Sequence, residues 1–325
     1  MYRAFFNLKR SPFEITPDPA FLFPTKRHNE ALASLYYGVR RHKGFVVLTG
    51  EVGTGKTLLL RCLLQLLRQS NDVAYAYVFN SRLTPVEFLQ YVAADFGLVA
   101  AGKNKSELLL DLSRYVVSRG LKKQTTVLVV DEAHHLSPEI LEEVRLLTNL
   151  ETAQEKLLQI LLVGQPELDE NLDSVGLRQL KQRIAARSHL TALDPVETRG
   201  YIANRLRLAG GEMPVDELFP EPTVDAIYRH SRGFPRLINT ICENTLIAAY
   251  ARQARCITPD MVEEIAREFR LNIVHSPKVE RNGELNEPEV KRAAKALLDL
   301  YANLQKPGAE PEMRSFRTGK NEPYI

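Results

Sequence analysis

One eight-residue run constrains this chain more than any other: Gly50-Glu51-Val52-Gly53-Thr54-Gly55-Lys56-Thr57, which fits GxxxxGK(S/T). It sits between an apolar run, Phe45 to Thr49, and a leucine-rich stretch opening at Thr57 (TLLLRCLLQLLRQ). Glycine-rich turns are common, but a strand that enters such a turn and leaves it as a helix is the arrangement that wraps a phosphate. The glycines let the backbone curl until successive N–H groups point at phosphate oxygens, and the helix adds its positive end. Lys56 is then expected to reach the β and γ phosphates of ATP, and the Thr57 hydroxyl to take one position on Mg2+. Gly50, Glu51, Val52, Gly53, Thr54 and Gly55 supply the cradle.

A second apolar run, Thr126 to Val130, ends in Asp131-Glu132. A buried strand that delivers two carboxylates at its C-terminal end places them where ligands of open α/β sheets bind. Asp131 is expected to hold Mg2+, through water, because this ion gives up its hydration shell reluctantly. Glu132 is expected to orient and deprotonate the attacking water. Acidic strand ends are common on solvated surfaces, and it is the pairing with the phosphate loop that favours the catalytic reading. Asp131-Glu132-Ala133-His134 also spells DEAH, a helicase signature. The chain carries neither a second phosphate-loop domain nor an arginine-rich QRxGRxGR-like motif, so that class is rejected. His134 and His135 are read as surface or helix-entry residues.

From Phe45 onward apolar runs alternate with helices: FVVLT, the leucine-rich helix, VAYAYVF, helices opening at Thr84 and Ser106, TVLVV, a helix opening at Ser137, and LLQILLV. Continuous apolar runs separated by helices mark a parallel sheet covered on both faces. The expected organisation is an N-terminal arm over 1–44 folded onto the first domain, an α/β domain over 45–192, a small all-helical domain over 193–270, and a linker, short helix and disordered tail over 271–325. Thr84-Pro85-Val86-Glu87 and Asp194-Pro195-Val196-Glu197 each offer a capping side chain, a proline at the first helical position and a glutamate reaching back. Helices near 195–209, 223–231, 235–252 and 259–269 follow, punctuated by Gly210, Gly233 and Thr258-Pro259.

Three further side chains have the chemistry of nucleotide sensing. Gln165 lies at the tip of the run from Leu157 to Val163, beside the Asp-Glu strand, and could contact the γ phosphate and the attacking water. Residues 177–187 read as a helix carrying Arg178, Lys181, Arg183 and Arg187, most of them on a solvated face. One arginine there is a candidate finger that stabilises transition-state charge in a neighbouring subunit, Arg183 first and Arg187 second. Gly233-Phe234-Pro235-Arg236 sets a cation in the first turn of a helix, against the dipole. A bound phosphate would account for Arg236 there.

Composition excludes more than it selects. Hydrophobic residues at 44% and charged residues at 26% are those of an ordinary globular protein. A net charge of +3, with cations and anions interleaved, permits nucleic-acid binding without indicating it. Cys62, Cys242 and Cys256 are scattered, with no metal-ligand spacing, and suit a reducing compartment. The N-terminus has no signal-like run and no later segment reaches the roughly 20 apolar residues of a membrane span. The expectation is a cytoplasmic protein that meets a membrane only through a partner.

Taken together, FFNLKRSPFEITPDPAFLFPTKRHNEAL, GEVGTGKT, VLVVDEAHHL, LLVGQPEL, LRQLKQRI and GFPRLIN resemble, in order, the motifs of the AAA+ ATPases of the ExeA-type general secretion pathway family, over residues 1 to about 270. The resemblance implies a five-stranded parallel sheet in the order 5-1-4-3-2, a helical lid, and ATP between the two. It places Lys56, Thr57, Asp131, Glu132, Gln165, Arg183 and Arg236 on the family's functional positions. Members acting in type II secretion continue through a transmembrane segment into a periplasmic peptidoglycan-binding domain, and neither is found in these 325 residues. Shorter relatives accompany exopolysaccharide export, pilus biogenesis or transposition. The expected function is ATP hydrolysis by a self-associating ring or filament that serves an inner-membrane or envelope machine. The alternative is an ATP-dependent DNA-binding regulator.

Overall fold

Phe45–Gly50 (β1), Val73–Val78 (β2), Thr125–Val130 (β3), Leu158–Gly164 (β4) and Ile184–Leu190 (β5) form one parallel sheet in the order β2-β3-β4-β1-β5. This is the 5-1-4-3-2 order anticipated. The computed structural model describes residues 1–79 and 83–271. β1, β3 and β4 are buried along their whole length, as their unbroken apolar runs require.

β5 corrects the sequence reading. The helical turn of Arg178–Lys181 stops there, and from Ile184 the chain is an edge strand paired with β1, from Phe45↔Ile184 to Gly50↔Leu190. Arg187 therefore stands on a strand, not on a helix. The reason is non-local: IAARSHL is mostly half-exposed and has no apolar run, so the β1 ladder makes it a strand rather than its own pattern.

Helices Lys26–Arg40 (α1), Lys56–Arg68 (α2), Pro85–Asp95 (α3), Lys105–Leu121 (α4), Pro138–Leu147 (α5) and Glu167–Leu172 (α6) accompany the sheet. Alternate strand residues feed two cores. Val47, Leu128, Val130, Ile160 and Leu162 meet the apolar sides of α3, α4 and α5. Val46, Leu48, Val127, Val129 and Leu161 meet α1 and α2. The capping boxes at Thr84 and Asp194 are present, and a third at Asn104 with Glu107 starts α4 ahead of the expected Ser106.

Beyond β5 lie Pro195–Leu208 (α7), Glu221–Ser231 (α8), Pro235–Ala251 (α9) and Pro259–Glu268 (α10), around a separate core that includes Ile202, Phe219, Ile227, Ile238 and Cys242. Leu190 belongs to the sheet core and Leu193 to the helical one. At this crossing Leu193 N–H donates to Gly233 O at 2.9 Å. A Cβ on Gly233 would come 1.8 Å from Leu193 O, and its φ of +76° is the left-handed region, so glycine is required.

The opening residues sit elsewhere than anticipated. Phe6, Leu8 and Phe13 are buried in the helical core, not on the α/β body, whereas Leu22 and α1 join the sheet core. Tyr2 donates its hydroxyl to Glu243 at 2.7 Å, and Arg205 donates to Pro12 O at 2.7 Å. Burying each aromatic ring contributes about 1.5–3 kcal/mol, so the arm straps one unit to the other. Apart from Leu271, which packs on the helical core, the readings made for 271–325 lie outside the described residues. Among the described residues no helix is long and apolar enough to cross a membrane.

Candidate nucleotide site

Where β1 ends, the backbone turns through Gly53 (φ +84°) and Gly55 (φ +101°) into α2. The N-cap of α2, Gly55, provides no side-chain cap, which leaves the first N–H groups of the helix to whatever anion lies before them. Lys56, only 6% exposed, folds back to donate from Nζ to Gly50 O at 2.6 Å and Glu51 O at 3.0 Å. Burial pulls its pKa down, and Glu132 and Asp131 oppose that shift. A cleft of about 320 Å³ lies over this loop. Ile15, Thr16 and Pro17 of the arm form one wall, and Tyr201, Arg205 and Asn239 of the helical unit form another.

β3 carries the two carboxylates to the same place. Asp131 Oδ2 accepts from Thr57 Oγ1 at 3.2 Å and from the Tyr77 hydroxyl at 2.8 Å, and Oδ1 accepts from Glu132 N–H at 2.9 Å. Burial, and then the neighbouring Asp131 charge, push the Tyr77 pKa upward, so the phenol stays a donor. Glu132 has φ +51° and ψ +36°, a left-handed conformation that costs a glutamate about 1–2 kcal/mol. Its Oε2 is buried without a hydrogen bond.

Gln165 follows β4 and meets His134: its amide nitrogen is 2.8 Å from His134 Nε2. His134 is no surface residue, because its side chain is 5% exposed. Adjacent histidines do diverge in a helix or strand, but the 3-10 turn Ala133–His135 brings the His134 and His135 rings to 3.9 Å.

Arg236 hangs over the loop from the first turn of α9. Its N–H donates to Gly53 O at 3.3 Å, and a Cβ on Gly53 would lie 2.9 Å from the Arg236 Cβ. Its guanidinium is exposed and has no hydrogen bond or ion pair among the described residues. Arg183 is not brought to this site. It donates to Arg145 O, Thr148 Oγ1 and Asn149 Oδ1 at the C-terminal end of α5. Arg187 pairs with Asp169 at 3.0 Å and lies 3.6 Å from Asp173.

Three contributors went unread in the sequence. His28, buried in α1, reaches Thr54 O through Nε2 at 3.0 Å and Thr25 Oγ1 through Nδ1 at 2.7 Å, which props the loop from beneath. The Thr54 carbonyl can only accept, so Nε2 carries the proton and donates, and burial lowers the pKa of the ring. Arg205 is 4% exposed, bonded to the Tyr201 hydroxyl at 3.0 Å and laid over Phe21 and Tyr201. The third is Tyr77. Only the i, i+4 spacing of Tyr201 and Arg205 was visible in sequence, and nothing there separates Arg205 from the exposed Arg207.

The donor set suits a hydrated divalent ion. Thr57 and Asp131 present oxygen ligands side by side, and no group of three or more His, Cys, Asp or Glu able to hold a metal occurs among the described residues. Mg2+ needs no such cage, because phosphate and water complete its shell.

The protein-family model described as "AAA domain" matches residues 39–172. General secretion pathway protein A of Aeromonas hydrophila is 46% identical over 253 residues, covering 78% of this chain and 45% of that protein. The chain thus spans less than half the length of that relative. The ATP-dependent target DNA activator B of Escherichia phage Mu is 23% identical over 263 residues, covering 79% and 76%. Among solved structures, the Aeropyrum pernix ORC2 protein superposes with a TM-score of 0.60 at 19% identity, covering 80% of this chain and 72% of that one. Cdc6p of Pyrobaculum aerophilum gives 0.58 at 17%, covering 88% and 84%. At such identities the two structures bear on fold alone. With the phosphate loop, the Asp-Glu strand and this pattern of relatives together, the chain belongs to the ExeA-type AAA+ ATPases.

Proposed function

We propose that this protein binds ATP with Mg2+ and hydrolyses it. The observation that carries the reading is Lys56, buried at the mouth of an uncapped helix, where Glu132 and then Asp131 are the charges that most favour its ammonium form. On ATP binding the Lys56 ammonium exchanges the carbonyls of Gly50 and Glu51 for the β and γ phosphates, and the N–H groups of the loop wrap the phosphate chain. Thr57 and Asp131 would hold Mg2+, which would neutralise charge on the phosphate oxygens. Glu132 takes a proton from water as the water oxygen bonds to the γ phosphorus. The bond from that phosphorus to the β–γ bridging oxygen breaks, giving ADP and phosphate. Gln165 orients the water and Arg236 contacts the γ phosphate from the helical side. Glu132→Gln tests the assignment: the variant should retain ATP and lose turnover, and undiminished turnover would refute it.

Arg183 is assigned to a neighbouring subunit's site. It precedes Ile184, which pairs with Phe45, whereas the phosphate loop follows Gly50. Five steps along β1, at about 3.3 Å each, separate the two ends by about 17 Å, so Arg183 has no reach to its own nucleotide. A finger acting in trans requires a ring or filament. The kinship with general secretion pathway protein A supports an envelope or export machine as the partner. A DNA-bound regulator is the second reading, supported by the similarity to the phage Mu activator along most of both chains. A gel shift with ATP separates them, because phosphate contacts predict binding that falls steeply with salt.

A further inference from the structure

Asp169 stands in the first turn of α6, a few residues past Gln165, and both of its carboxylate oxygens are engaged. Oδ2 accepts from Thr49 Oγ1 at 2.7 Å, and Oδ1 accepts from Arg187 at 3.0 Å. Thr49 Oγ1 also lies 3.0 Å from His189 Nδ1. A threonine hydroxyl has one proton, and a carboxylate paired with arginine only accepts. Thr49 therefore donates to Asp169 and accepts from His189 Nδ1, so each bond in the chain from His189 to Arg187 has one donor and one acceptor.

This cluster joins the two strand ends that matter for phosphate. Thr49 is 2% exposed and directly precedes Gly50, whose carbonyl holds Lys56. In the sheet it lies between Gly164 of β4 and His189 of β5. Gly164 leads into Gln165, and the chain then closes a tight turn: Leu168 N–H donates to Gln165 O and Asp169 N–H to Pro166 O, both at 2.9 Å. Pinning Asp169 to Thr49 thus fixes where the Gln165 side chain starts relative to the phosphate loop. The loop has further support, because β1 is laddered on both sides. α6 is only six residues long, and Leu168 and Leu172 hold it to the sheet core by contacts that have no direction. The carboxylate supplies the direction. Arg187 spans the same helix, since its second nitrogen lies 3.6 Å from Asp173, the residue that closes α6.

We infer that Asp169 is a positioning residue for hydrolysis, with Arg187 as its counter-ion in the same subunit: its carboxylate fixes the turn that bears Gln165 to the strand that opens the phosphate loop. Arg187 thereby acts within its own chain and not on a neighbour's nucleotide. This rests on the role proposed above for Gln165.

The test is a double-mutant cycle on the full chain, read as kcat and as affinity for a non-hydrolysable ATP analogue with Mg2+. Asp169→Ala and Thr49→Val should each lower kcat about tenfold or more while changing analogue affinity less than about threefold, as a displaced water-orienting group would. The double variant should turn over no more slowly than the slower single one. Thr49→Ser, which keeps the hydroxyl, should retain most of the parent rate. Thr49→Val keeps the shape of the side chain, and with Thr49→Ser it carries the prediction if Asp169→Ala does not fold. Arg187→Ala should lose kcat in the same way, and mixing it with Lys56→Ala should restore none of the loss. Restoration on mixing, losses that multiply, or a Thr49→Val kcat within about twofold of the parent while Glu132→Gln is inactive would overturn this inference alone. Turnover that survives Glu132→Gln would overturn the parent reading and this inference with it.

Discussion

Replacing Arg236 with alanine separates folding from phosphate recognition, because the two effects have opposite signs. The guanidinium makes no hydrogen bond or ion pair among the described residues, so its loss costs the unliganded fold no polar contact there. It also stands in the first turn of α9, whose N-terminal end repels a cation. Removing the charge should leave the unliganded protein unchanged or more stable by about 0.3–1 kcal/mol. Bound ATP reverses the account. A hydrogen bond to a charged group contributes about 1.5–3 kcal/mol, so losing one to the γ phosphate should weaken ATP binding roughly tenfold to a hundredfold and ADP binding far less. Thermal melting without nucleotide, and calorimetry with a non-hydrolysable ATP analogue and with ADP, read the two halves separately. A lower melting temperature without nucleotide, or equal losses for ATP and ADP, would refute the assignment.

Tyr77→Phe removes a donor from Asp131 Oδ2 and frees the carboxylate to turn. It should raise the Mg2+ concentration needed for half-maximal turnover about tenfold, and an unchanged Mg2+ titration would count against it. His28 should make stability depend on pH. Its folded pKa is depressed below 6.5 by burial, against the opposing pull of the Thr54 carbonyl and Glu197. Its contribution is therefore present above about pH 6.5 and lost as pH falls towards the folded value. The parent should lose more melting temperature than His28→Asn between about pH 7 and pH 5, and parallel curves would contradict this. Arg183→Ala and Lys56→Ala, each inactive alone, should regain turnover when mixed, since one supplies an intact site and the other an intact finger. Failure of the mixture to regain any would remove the trans role.

What could be read from the sequence was what neighbours in sequence determine. The phosphate loop is contiguous, β1, β3 and β4 are unbroken apolar runs, and the boxes at Thr84 and Asp194 close within four residues. These needed no tertiary information. β5 did, because Ile184–Leu190 is a strand by virtue of its ladder to β1, and its cations mimic a helix face. The arm was misplaced for a similar reason. Its aromatic residues announce burial but not where: Phe6 and Phe13 join a core about two hundred residues downstream, where Phe13 packs edge-on against Phe219. His28 and Tyr77 were invisible as site residues because each acts through a partner on another element, Thr54 and Asp131. Asp131 and Glu132 could be found because the carboxylates sit at a strand end. The hydrogen bonds that aim them could not.

The central claim is that ATP docks where β1 turns into α2, and calorimetry on the parent and on Lys56→Ala tests it most directly. Titrating a non-hydrolysable ATP analogue with Mg2+ should give about one site per chain in the parent and a loss of at least about tenfold in the variant. A parent that takes up no nucleotide, or a variant that binds as tightly as the parent, would contradict it.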